Sequence, residues 1–393
     1  MTIYEQLGVR RIINARSFST KCGGGVLPAP VLEAMREAAQ ACVRIADLQE
    51  AAGRVVAEAT GAEAAMVTSG AAAALTLGAA ACLAGLDVHR MNRLPDTSGI
   101  PNEIVVLRTH RNDYDHALLA AGARFVEAGY SYCTFDYEVE SAISERTAAL
   151  FYQAGVDTGA VALSSFVAIA HRHGLPVIVD AAAELPPASN LRSFCNAGAD
   201  LVAFSGGKHL RGPQSSGILC GRKDLILSAT LQHQDMDVLP ESWPLRHLIA
   251  EGRLAGPPHH GIGRGFKVGK EEIAGLVRAV QLYPQRDFAA ELAAWRADVD
   301  CIVEAVRGLP GMDARVTFPQ PGGKPVPYAV LTVDAQQAGL SANDLVIALE
   351  EGDPPICVFE TMARSGTVVF KPEALEPGDA ALIARRLTGI LKR

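Results

Sequence analysis

The stretch "FSGGKHLRGPQSSGIL", Phe204 to Leu219, places Lys208 in a loop of glycines and serines directly after an apolar run. A lysine in such a loop is either a solvated surface charge or a group that reacts. Glycines allow the backbone to approach a ligand closely, and the lysine amine forms covalent adducts with carbonyl groups. The organisation of the rest of the chain bears on this choice.

Apolar runs alternate with alanine-rich segments along the chain. Runs rich in β-formers predict strands, at 64–68, 103–108, 148–153, 175–180 and 200–205. Segments such as "PAPVLEAMREAAQACV" and "SGAAAALTLGAAACLAG" predict the helices between them. Several of these strands are apolar on both faces, which is typical of a sheet covered by helices on both sides. The pattern therefore predicts an α/β fold with a mostly parallel sheet.

The pattern of predicted helices and strands changes after about residue 265. A long helical segment broken near Pro284 is followed by three short β-rich runs and a terminal helix, which predicts a smaller C-terminal α+β domain. We expect an N-terminal arm, a large domain, and an interdomain helix with the small domain, at 1–20, 21–265 and 266–393.

Composition excludes several classes of function. The formal net charge of −7 disfavours a protein that grips nucleic acid, whose phosphates call for a basic face. The eight cysteines form no CxxC motif and no metal-ligand spacing, which indicates free thiols in a reducing compartment. The N-terminus lacks an apolar signal core, so we expect a cytoplasmic protein with no membrane association. We expect no metal site, although His110, Asp113 and His116 lie close together in the sequence.

Chemically notable residues follow the predicted strands. In "TSGAAAAL", small residues lead from a strand into a helix, whose N-terminus favours an anion at Ser69, Gly70 and Ala71. An ordinary tight turn is the alternative. Asp180 closes the apolar strand "VIVD", where a carboxylate needs a partner or acts as a helix N-cap. Lys208 follows about one strand–helix–strand unit later. Ligands of doubly wound sheets bind at such strand ends.

These parts together describe a pyridoxal 5′-phosphate site. The helix N-terminus would hold the phosphate, Asp180 would keep the pyridine nitrogen protonated, and Lys208 would form the Schiff base with the aldehyde. Ser205 can add a hydroxyl to the phosphate, and His110 can cover the ring face or face the substrate. The predicted cofactor-binding residues also include Gly207, beside the lysine.

The chain resembles the fold-type I pyridoxal-phosphate superfamily. Within it, the chain is similar to the branch of seryl-tRNA selenium transferase (selenocysteine synthase) and D-glucosaminate-6-phosphate ammonia-lyase. The resemblance covers nearly the whole chain and is carried by "INARSFSTKCGGGVLPAPVLEAM" (13–35), "TGAEAAMVTSGAAAAL" (60–75), "HRNDYDHALLAAGARFVEAG" (110–129), "VIVDAAAELPP" (177–187), "FSGGKHLRGPQSSGIL" (204–219) and "GIGRGFKVGKEEI" (261–273).

The resemblance implies further site residues and an assembly. It places Gly263 and Arg264 near an active site, of this subunit or of its neighbour, and Arg16 and Lys21 near the substrate. It implies a large domain like that of aspartate aminotransferase and a homodimer or higher homo-oligomer with sites at the interface.

One segment departs from the pattern of that branch. Relatives usually carry an arginine in the part matching "GDPPICVFETMA", where this chain has Phe359 and Glu360. Neither residue can grip a carboxylate with two parallel hydrogen bonds, as arginine does. Either the natural substrate then differs from glucosaminate 6-phosphate, or another cation binds its anion. The candidates for that cation are Arg16, Lys21, Arg111, Arg211 and Arg264.

The expected function is that of a lyase. Lys208 would remove the Cα proton of a hydroxylated amino acid or amino sugar acid, and loss of the β-hydroxyl would yield a 2-oxo acid and ammonia. A racemase or epimerase is the alternative, with His110 or another acid returning the proton on the opposite face. A selenium transferase is disfavoured by the acidic charge and by the short segment before the catalytic core. A pyridoxal-phosphate-binding regulator is disfavoured because no helix-turn-helix precedes residue 20.

Overall fold

The computed structural model describes residues 1–156, 159–320 and 323–392, and the chain divides into two compact units. The small unit comprises Met1–Val26 and Gln285–Arg393, and the large unit comprises Leu27–Pro284. The boundaries expected from sequence, at 20/21 and 265/266, lie earlier in the chain than these divisions.

The strands, in chain order, are Ile13–Ala15 (β1), Ala64–Thr68 (β2), Glu103–Leu107 (β3), Arg124–Ala128 (β4), Thr147–Gln153 (β5), Val177–Asp180 (β6), Leu201–Ser205 (β7), Gly217–Gly221 (β8), Met312–Thr317 (β9), Tyr328–Val333 (β10), Ile356–Val358 (β11) and Thr367–Phe370 (β12). All five strands predicted in the first half of the chain are present. β1, β4, β8 and β9 were not predicted.

The helices, in chain order, are Ile3–Gln6 (α1), Ala29–Ala39 (α2), Ile45–Thr60 (α3), Ala71–Ala84 (α4), Val88–Arg93 (α5), His116–Leu119 (α6), Asp136–Ala142 (α7), Leu163–Arg172 (α8), Asn190–Asn196 (α9), Lys223–His233 (α10), His247–Ala250 (α11), Lys270–Leu282 (α12), Phe288–Val306 (α13), Ala335–Ala338 (α14), Ala342–Glu350 (α15) and Asp379–Leu391 (α16). The long helical segment breaks at a 3₁₀ turn, Tyr283–Gln285, as the proline there predicts.

The sheet of the large unit has the strand order β2-β8-β7-β6-β5-β3-β4. The strands from β7 to β4 run parallel, and β8 runs antiparallel between β2 and β7. Because β8 runs antiparallel to both of its neighbours, β2 and β7 run in the same direction. The carboxyl ends of β2, β3, β5, β6 and β7 therefore share one edge of the sheet, where ligands of doubly wound folds bind.

The alanine-rich helix α4 packs directly on this sheet. A Cβ added at Gly78 would meet side chains of Leu201, Leu219 and Ile178 at 3.4–3.9 Å, which is ordinary contact. Most of α4 is buried on every face, because small side chains allow the sheet and neighbouring helices to approach it closely. The uncharged stretch 64–86 thus forms a core strand and helix. Among the residues that the structure describes, no helix is both long and apolar enough to cross a membrane.

The small unit joins the two ends of the chain. β1 pairs in parallel with β11, and β10 lies between β9 and β12 in a separate antiparallel sheet. The pairing of β1 explains why the N-terminal arm groups with the C-terminal residues. By contrast, α12 groups with the large unit, because it packs on α2 and α3. The predicted fold class is confirmed: the chain has an α/β large unit and a smaller unit with its own sheet.

Candidate active site

The sheet register brings together two segments that are distant in sequence. In the antiparallel pairs, Gly217 of β8 lies opposite Thr68 of β2 on one side and opposite Ser205 of β7 on the other. Neighbouring strands are about 4.8 Å apart, so the ends of β2 and β7 lie about 10 Å apart. The predicted anion cup after β2 and the lysine loop after β7 therefore start from the same row of the sheet.

The cup is built around two glycines. Gly70 has φ +138°, which side-chain-bearing residues rarely adopt, and an added Cβ there would have no atom within 4 Å. Gly217 fits tightly behind it, because an added Cβ would lie 2.4 Å from the Gly70 carbonyl carbon. The N–H groups of the first turn of α4 have no acceptor within the helix. Unpaired N–H donors at a helix N-terminus are what the backbone cradle of an anion requires, and the space around the Gly70 Cα is open.

The lysine loop is closed by backbone hydrogen bonds. The Gly206 N–H donates to the carbonyl of Ser216 at 2.9 Å, and the Arg211 N–H donates to the carbonyl of Lys208 at 2.8 Å. Arg211 itself has φ +58°, a left-handed conformation that is uncommon for a residue with a side chain. The half-buried Lys208 is thus held on a short, defined turn. Such strained turns often occur at functional sites.

The tight packing extends to the other glycines of the loop. An added Cβ at Gly207 would lie 2.5 Å from the Cα of Gln214, and one at Gly206 would lie 2.2 Å from the Ser216 Oγ. Larger residues at either position would push the loop apart and move Lys208. We conclude that the glycines beside the lysine serve close backbone packing, which argues against a loosely solvated surface turn.

Asp180 ends β6, one strand away from β7, and its side chain is buried. Its carboxylate accepts a hydrogen bond from the Ala182 N–H at 2.8 Å. Burial raises the pKa of this carboxyl, while the Ala182 N–H and the charge of Lys208 act in the opposite direction. A buried carboxylate in this state is stabilised by a cationic partner, which a protonated pyridine nitrogen provides.

His110 follows β3 and is almost fully buried, at 1% exposure. Its Nδ1 accepts a hydrogen bond from the Gln153 N–H at 3.2 Å, and its Nε2 lies 3.1 Å from the carbonyl of Val156. The ring packs edge-on against Tyr152. Nδ1 therefore carries no proton in this arrangement and Nε2 donates. This geometry gives no support to the expectation that His110 transfers protons.

Two residues that sequence reasoning missed connect the strand ends. The Asn112 amide donates to the Gln153 Oε1 at 2.9 Å, and the Gln153 amide donates to the backbone carbonyl of Asp180 at 3.4 Å. With His110, they form a hydrogen-bonded chain across the ends of β3, β5 and β6. The only sequence signal for these hydrogen bonds was a glutamine at the end of a predicted strand. A single sequence does not distinguish such a glutamine from one on the surface.

In the small unit, the predicted substrate cations are already paired. Arg16 donates to the carbonyl of Val358 and to the Glu360 Oε1, both at 3.0 Å. Lys21 donates to Glu350 at 2.8 Å and to the same Glu360 oxygen at 3.1 Å. These carboxylates raise the pKa of Lys21, the Glu350 hydrogen bond most of all. Glu360, which lies in the segment where an arginine was expected, thus forms ion pairs with two cations.

Lys371 is a further cation in this unit, and sequence reasoning missed it. Its Nζ lies 3.9 Å from the ring centroid of Phe359 and 4.9 Å from that of Tyr328. The Arg16 guanidinium also lies over the Phe359 ring, at 5.7 Å. Burial lowers the pKa of Lys371. This segment therefore has no arginine at Phe359, but the Phe359 ring makes cation–π contacts with Arg16 and Lys371.

Two of the remaining predicted cations, both in the large unit, are paired with carboxylates. Arg111 forms ion pairs with Asp115 and Glu127 and stacks over Phe125. Arg264 donates to Asp235 at 2.8 Å, and Gly263 before it is buried. The side chains of Arg111 and Arg264 are thus each matched by carboxylates of the same unit.

A cavity of about 370 Å³ lies in the large unit beyond the end of β5. It is lined by Tyr152, Ala154, Gly155, Ala160, Ala162, Leu163 and Phe194. None of these is a predicted cofactor residue. We therefore assign the site from the geometry of the strand ends and not from the size of this cavity.

The residues at the strand ends fit pyridoxal phosphate. An open cradle at a helix N-terminus suits a phosphate, a buried carboxylate whose pKa is raised suits a protonated pyridine nitrogen, and a lysine on a defined turn suits an aldehyde. The three groups lie at or just after the ends of β2, β6 and β7, at the same edge of one sheet.

Comparisons with known proteins agree with this geometry. The family model described as SelA, L-seryl-tRNA selenium transferase, matches residues 113–237. The chain is 37% identical to the 5'-C-glycyluridine monooxygenase-decarboxylase of Streptomyces sp, with 99% of this chain and 92% of the relative covered. It is 33% identical to the D-glucosaminate-6-phosphate ammonia lyase of Salmonella typhimurium, with 99% and 97% covered.

A solved structure of D-glucosaminate-6-phosphate ammonia-lyase is similar over the entire chain. The TM-score is 0.81 at 32% sequence identity, and the similarity covers 100% of this chain and 98% of the other. Both units of the chain therefore have counterparts in that structure.

Proposed function

The chain belongs to the fold-type I pyridoxal-phosphate enzyme family that includes D-glucosaminate-6-phosphate ammonia lyase, and on that premise we propose that it is an ammonia-releasing lyase. Its substrate is a small-molecule amino acid or amino sugar acid with a β-hydroxyl group. The products are a 2-oxo acid and ammonia. The arrangement of Lys208, Asp180 and the glycine cradle at one sheet edge supports this proposal best.

The proposed roles of the residues follow from their positions. Pyridoxal phosphate, when bound, supplies an aldehyde that takes up the substrate amine and a ring that delocalises the charge left on Cα. The N–H groups at Ser69, Gly70 and Ala71 hold the phosphate. The Asp180 carboxylate keeps the proton on the pyridine nitrogen.

Lys208 performs the proton transfer in this proposal. With the cofactor bound, the Lys208 Nζ would be the group that removes the Cα proton of the substrate. The β-hydroxyl then leaves as water, and hydrolysis releases ammonia and the 2-oxo acid. Ser205 adds a hydroxyl donor at the phosphate, and Gly207 holds the lysine turn tight. We keep His110 as a ring-facing group without a proton-transfer role.

Substrate binding is assigned to cations. We propose Arg16 and Lys21 for the substrate carboxylate, with Arg211 beside the reactive lysine as a further candidate. Arg111 is the weakest of the predicted set, because two carboxylates already hold it.

The experiment is a product assay on the cofactor-loaded protein. Ammonia and 2-oxo acid are measured with D and L hydroxylated amino acids and with 2-amino sugar acids, with and without a terminal phosphate. We expect both products in equal amounts from at least one of these compounds. If the loaded protein releases ammonia from none of them, the proposal is wrong.

A second candidate is an oxygen-dependent decarboxylation. It is favoured by the full-length similarity to the monooxygenase-decarboxylase, at 37% identity. In either case, we would assign Lys208 and Asp180 to the cofactor. Oxygen consumption with release of carbon dioxide and without ammonia would favour the second candidate. An unchanged rate under anaerobic conditions would favour the lyase.

In the racemase alternative, His110 or another acid returns the proton. Both His110 nitrogens are engaged by the backbone, which favours another acid. Its test remains solvent deuterium entering Cα without ammonia release. The selenium transferase is tested by a gel shift with labelled tRNA. We expect no shift, since we propose that the chain binds no nucleic acid.

We further propose that the active form is a cytoplasmic homodimer in which Gly263 and Arg264 contribute to a cofactor site of either subunit. Light scattering of the loaded protein tests the assembly. An active monomer would contradict it.

A further inference from the structure

Two cysteines that are far apart in sequence meet in the small unit. The Cys22 thiol donates a hydrogen bond to the Cys357 sulfur at an S–S distance of 3.0 Å, although 335 residues separate them in sequence. Cys22 is half-buried and Cys357 is buried. Both are free thiols. A disulfide bond is about 2 Å long, so a shift of about 1 Å would bring the sulfurs into bonding distance.

The backbone around the pair fixes this approach. Cys357 is the central residue of β11 and lies opposite Asn14 of β1. The Asn14 amide donates to the carbonyls of Ser17 and Gly24, both at 2.8 Å. The segment after β1 is thereby folded back, which returns Cys22 to the strand pair.

The same segment carries the two cations assigned to the substrate. Arg16 is tied to the carbonyl of Val358, next to Cys357, and Lys21 directly precedes Cys22. A covalent link at Cys22 would therefore hold both cations to β11. The pairing is built from contacts within the small unit alone.

We propose that Cys22 and Cys357 form a reversible disulfide that pins the segment carrying Arg16 and Lys21 and so makes substrate binding depend on redox state. The oxidant is a peroxide. It converts the more accessible Cys22 thiol to a sulfenic acid and is reduced to water. The Cys357 sulfur then attacks the Cys22 sulfur, the S–S bond forms, the S–O bond breaks and a second water leaves.

The step is balanced. Two thiols lose two electrons and two protons, and one peroxide becomes two waters. A dithiol reductant reverses it by exchange. Burial raises the pKa of Cys357, which disfavours its thiolate, so the more accessible Cys22 is the thiol expected to meet the oxidant first.

The test uses the full chain and does not require turnover. The protein is treated with limiting hydrogen peroxide, alkylated, digested without reduction and mapped by mass spectrometry. We expect the Cys22 and Cys357 peptides to be joined, with the loss of two hydrogens, and to separate in dithiothreitol. The joined peptide should be absent from Cys22→Ser and Cys357→Ser. It should persist in Cys42→Ser and Cys301→Ser, which remove exposed cysteines.

Two further readouts sharpen the result. In Cys357→Ser, the Cys22 sulfenic acid has no resolving thiol and should be trapped by dimedone. In wild type, oxidation should raise the melting temperature, because a link that closes so long a loop restricts the unfolded chain. The proposal is overturned if both thiols are alkylated after peroxide treatment, or if Cys22 reaches the sulfinic acid without a cross-link.

The kinetic consequence alone rests on the proposed function. With an accepted substrate, we expect the oxidised enzyme to show at least a twofold higher KM and an unchanged kcat, both restored by reduction. A KM that does not respond to the cross-link would reject redox control of binding. A protein that forms the cross-link but turns over no substrate would instead reject the lyase.

Discussion

The Glu360 carboxylate accepts a hydrogen bond from the Arg16 guanidinium at 3.0 Å and, through the same oxygen, is also paired with Lys21. The chain thus neutralises cations that we assign to the substrate. An incoming carboxylate must compete with Glu360 for them.

Replacing Glu360 by glutamine should tighten substrate binding. Glutamine keeps the size and loses the charge, so Arg16 and Lys21 become more available. The pair is partly exposed, with 34% of the Glu360 side chain accessible. We therefore expect a gain of only about 0.5–1 kcal/mol, or a roughly two- to fivefold lower KM with kcat unchanged. Glu304→Gln, which breaks an exposed pair with Arg307 in the same unit, is the control. A higher KM in Glu360→Gln would remove Arg16 and Lys21 from the substrate site.

Lys208→Ala should abolish covalent cofactor retention and turnover. The amine is both the attachment point and the proposed base, and loss of a general base costs roughly 10²–10⁴-fold in rate. The near-visible absorption band and the peptide labelled after borohydride reduction provide the measurement. Lys223→Ala, an exposed lysine of the same unit, should keep both. A reduced cofactor found on another lysine would contradict the assignment.

Asp180 should make the cofactor-free protein less stable as pH rises. Its pKa is raised by burial, so the native state binds more protons than the unfolded state at pH values above about 3.9. The slope of the unfolding free energy with pH is then negative up to the raised pKa. In urea unfolding, we expect the free energy of unfolding of Asp180→Asn to fall less with rising pH than that of wild type.

Added pyridoxal phosphate should stabilise wild type more than Asp180→Asn at neutral pH, since the variant has no charge for the pyridine nitrogen. Equal stabilisation of the two proteins would contradict the proposed pairing.

Gly217→Ala should damage the phosphate cradle. Its Cβ would lie 2.4 Å from the Gly70 carbonyl carbon, so the backbone must move. Overpacking of this kind typically costs about 1–3 kcal/mol. Cofactor titration should show weaker binding, and thermal unfolding should show a lower midpoint. Gly256→Ala, where an added Cβ meets no atom within 4 Å, is the matched control. Normal cofactor affinity in Gly217→Ala would place the phosphate elsewhere.

The sequence predicted the parts whose signal is local. The buried strands before Asp180 and Lys208 are continuous apolar runs, and the two functional groups carry their chemistry in their own side chains. β4 escaped prediction because it is an edge strand with charged residues, Arg124 and Glu127. β8 was not predicted because glycines flank its three larger residues, so the segment was interpreted as part of the lysine loop.

The missed parts of the site depend on three-dimensional register. Gln153 matters because β5 lies beside β6, and Gly217 matters because β8 lies between β2 and β7. Neither neighbour can be read from one sequence. The sequence shows that the segment around Phe359 and Glu360 lacks the arginine of its relatives. That Glu360 instead pairs with Arg16 and Lys21 is seen only in the fold of the N-terminal segment.

The pairing of β1 with β11 has a consequence for biosynthesis. The large unit is one continuous stretch and can fold as it leaves the ribosome, because all its strands have been made by residue 221. Ile13–Ala15 must wait for Ile356–Val358, so β1 finds its partner only after the large unit has been made. The nascent chain therefore carries β1 unpaired while the large unit is synthesised, and the arm that bears Arg16, Lys21 and Cys22 takes shape only after β11 has emerged.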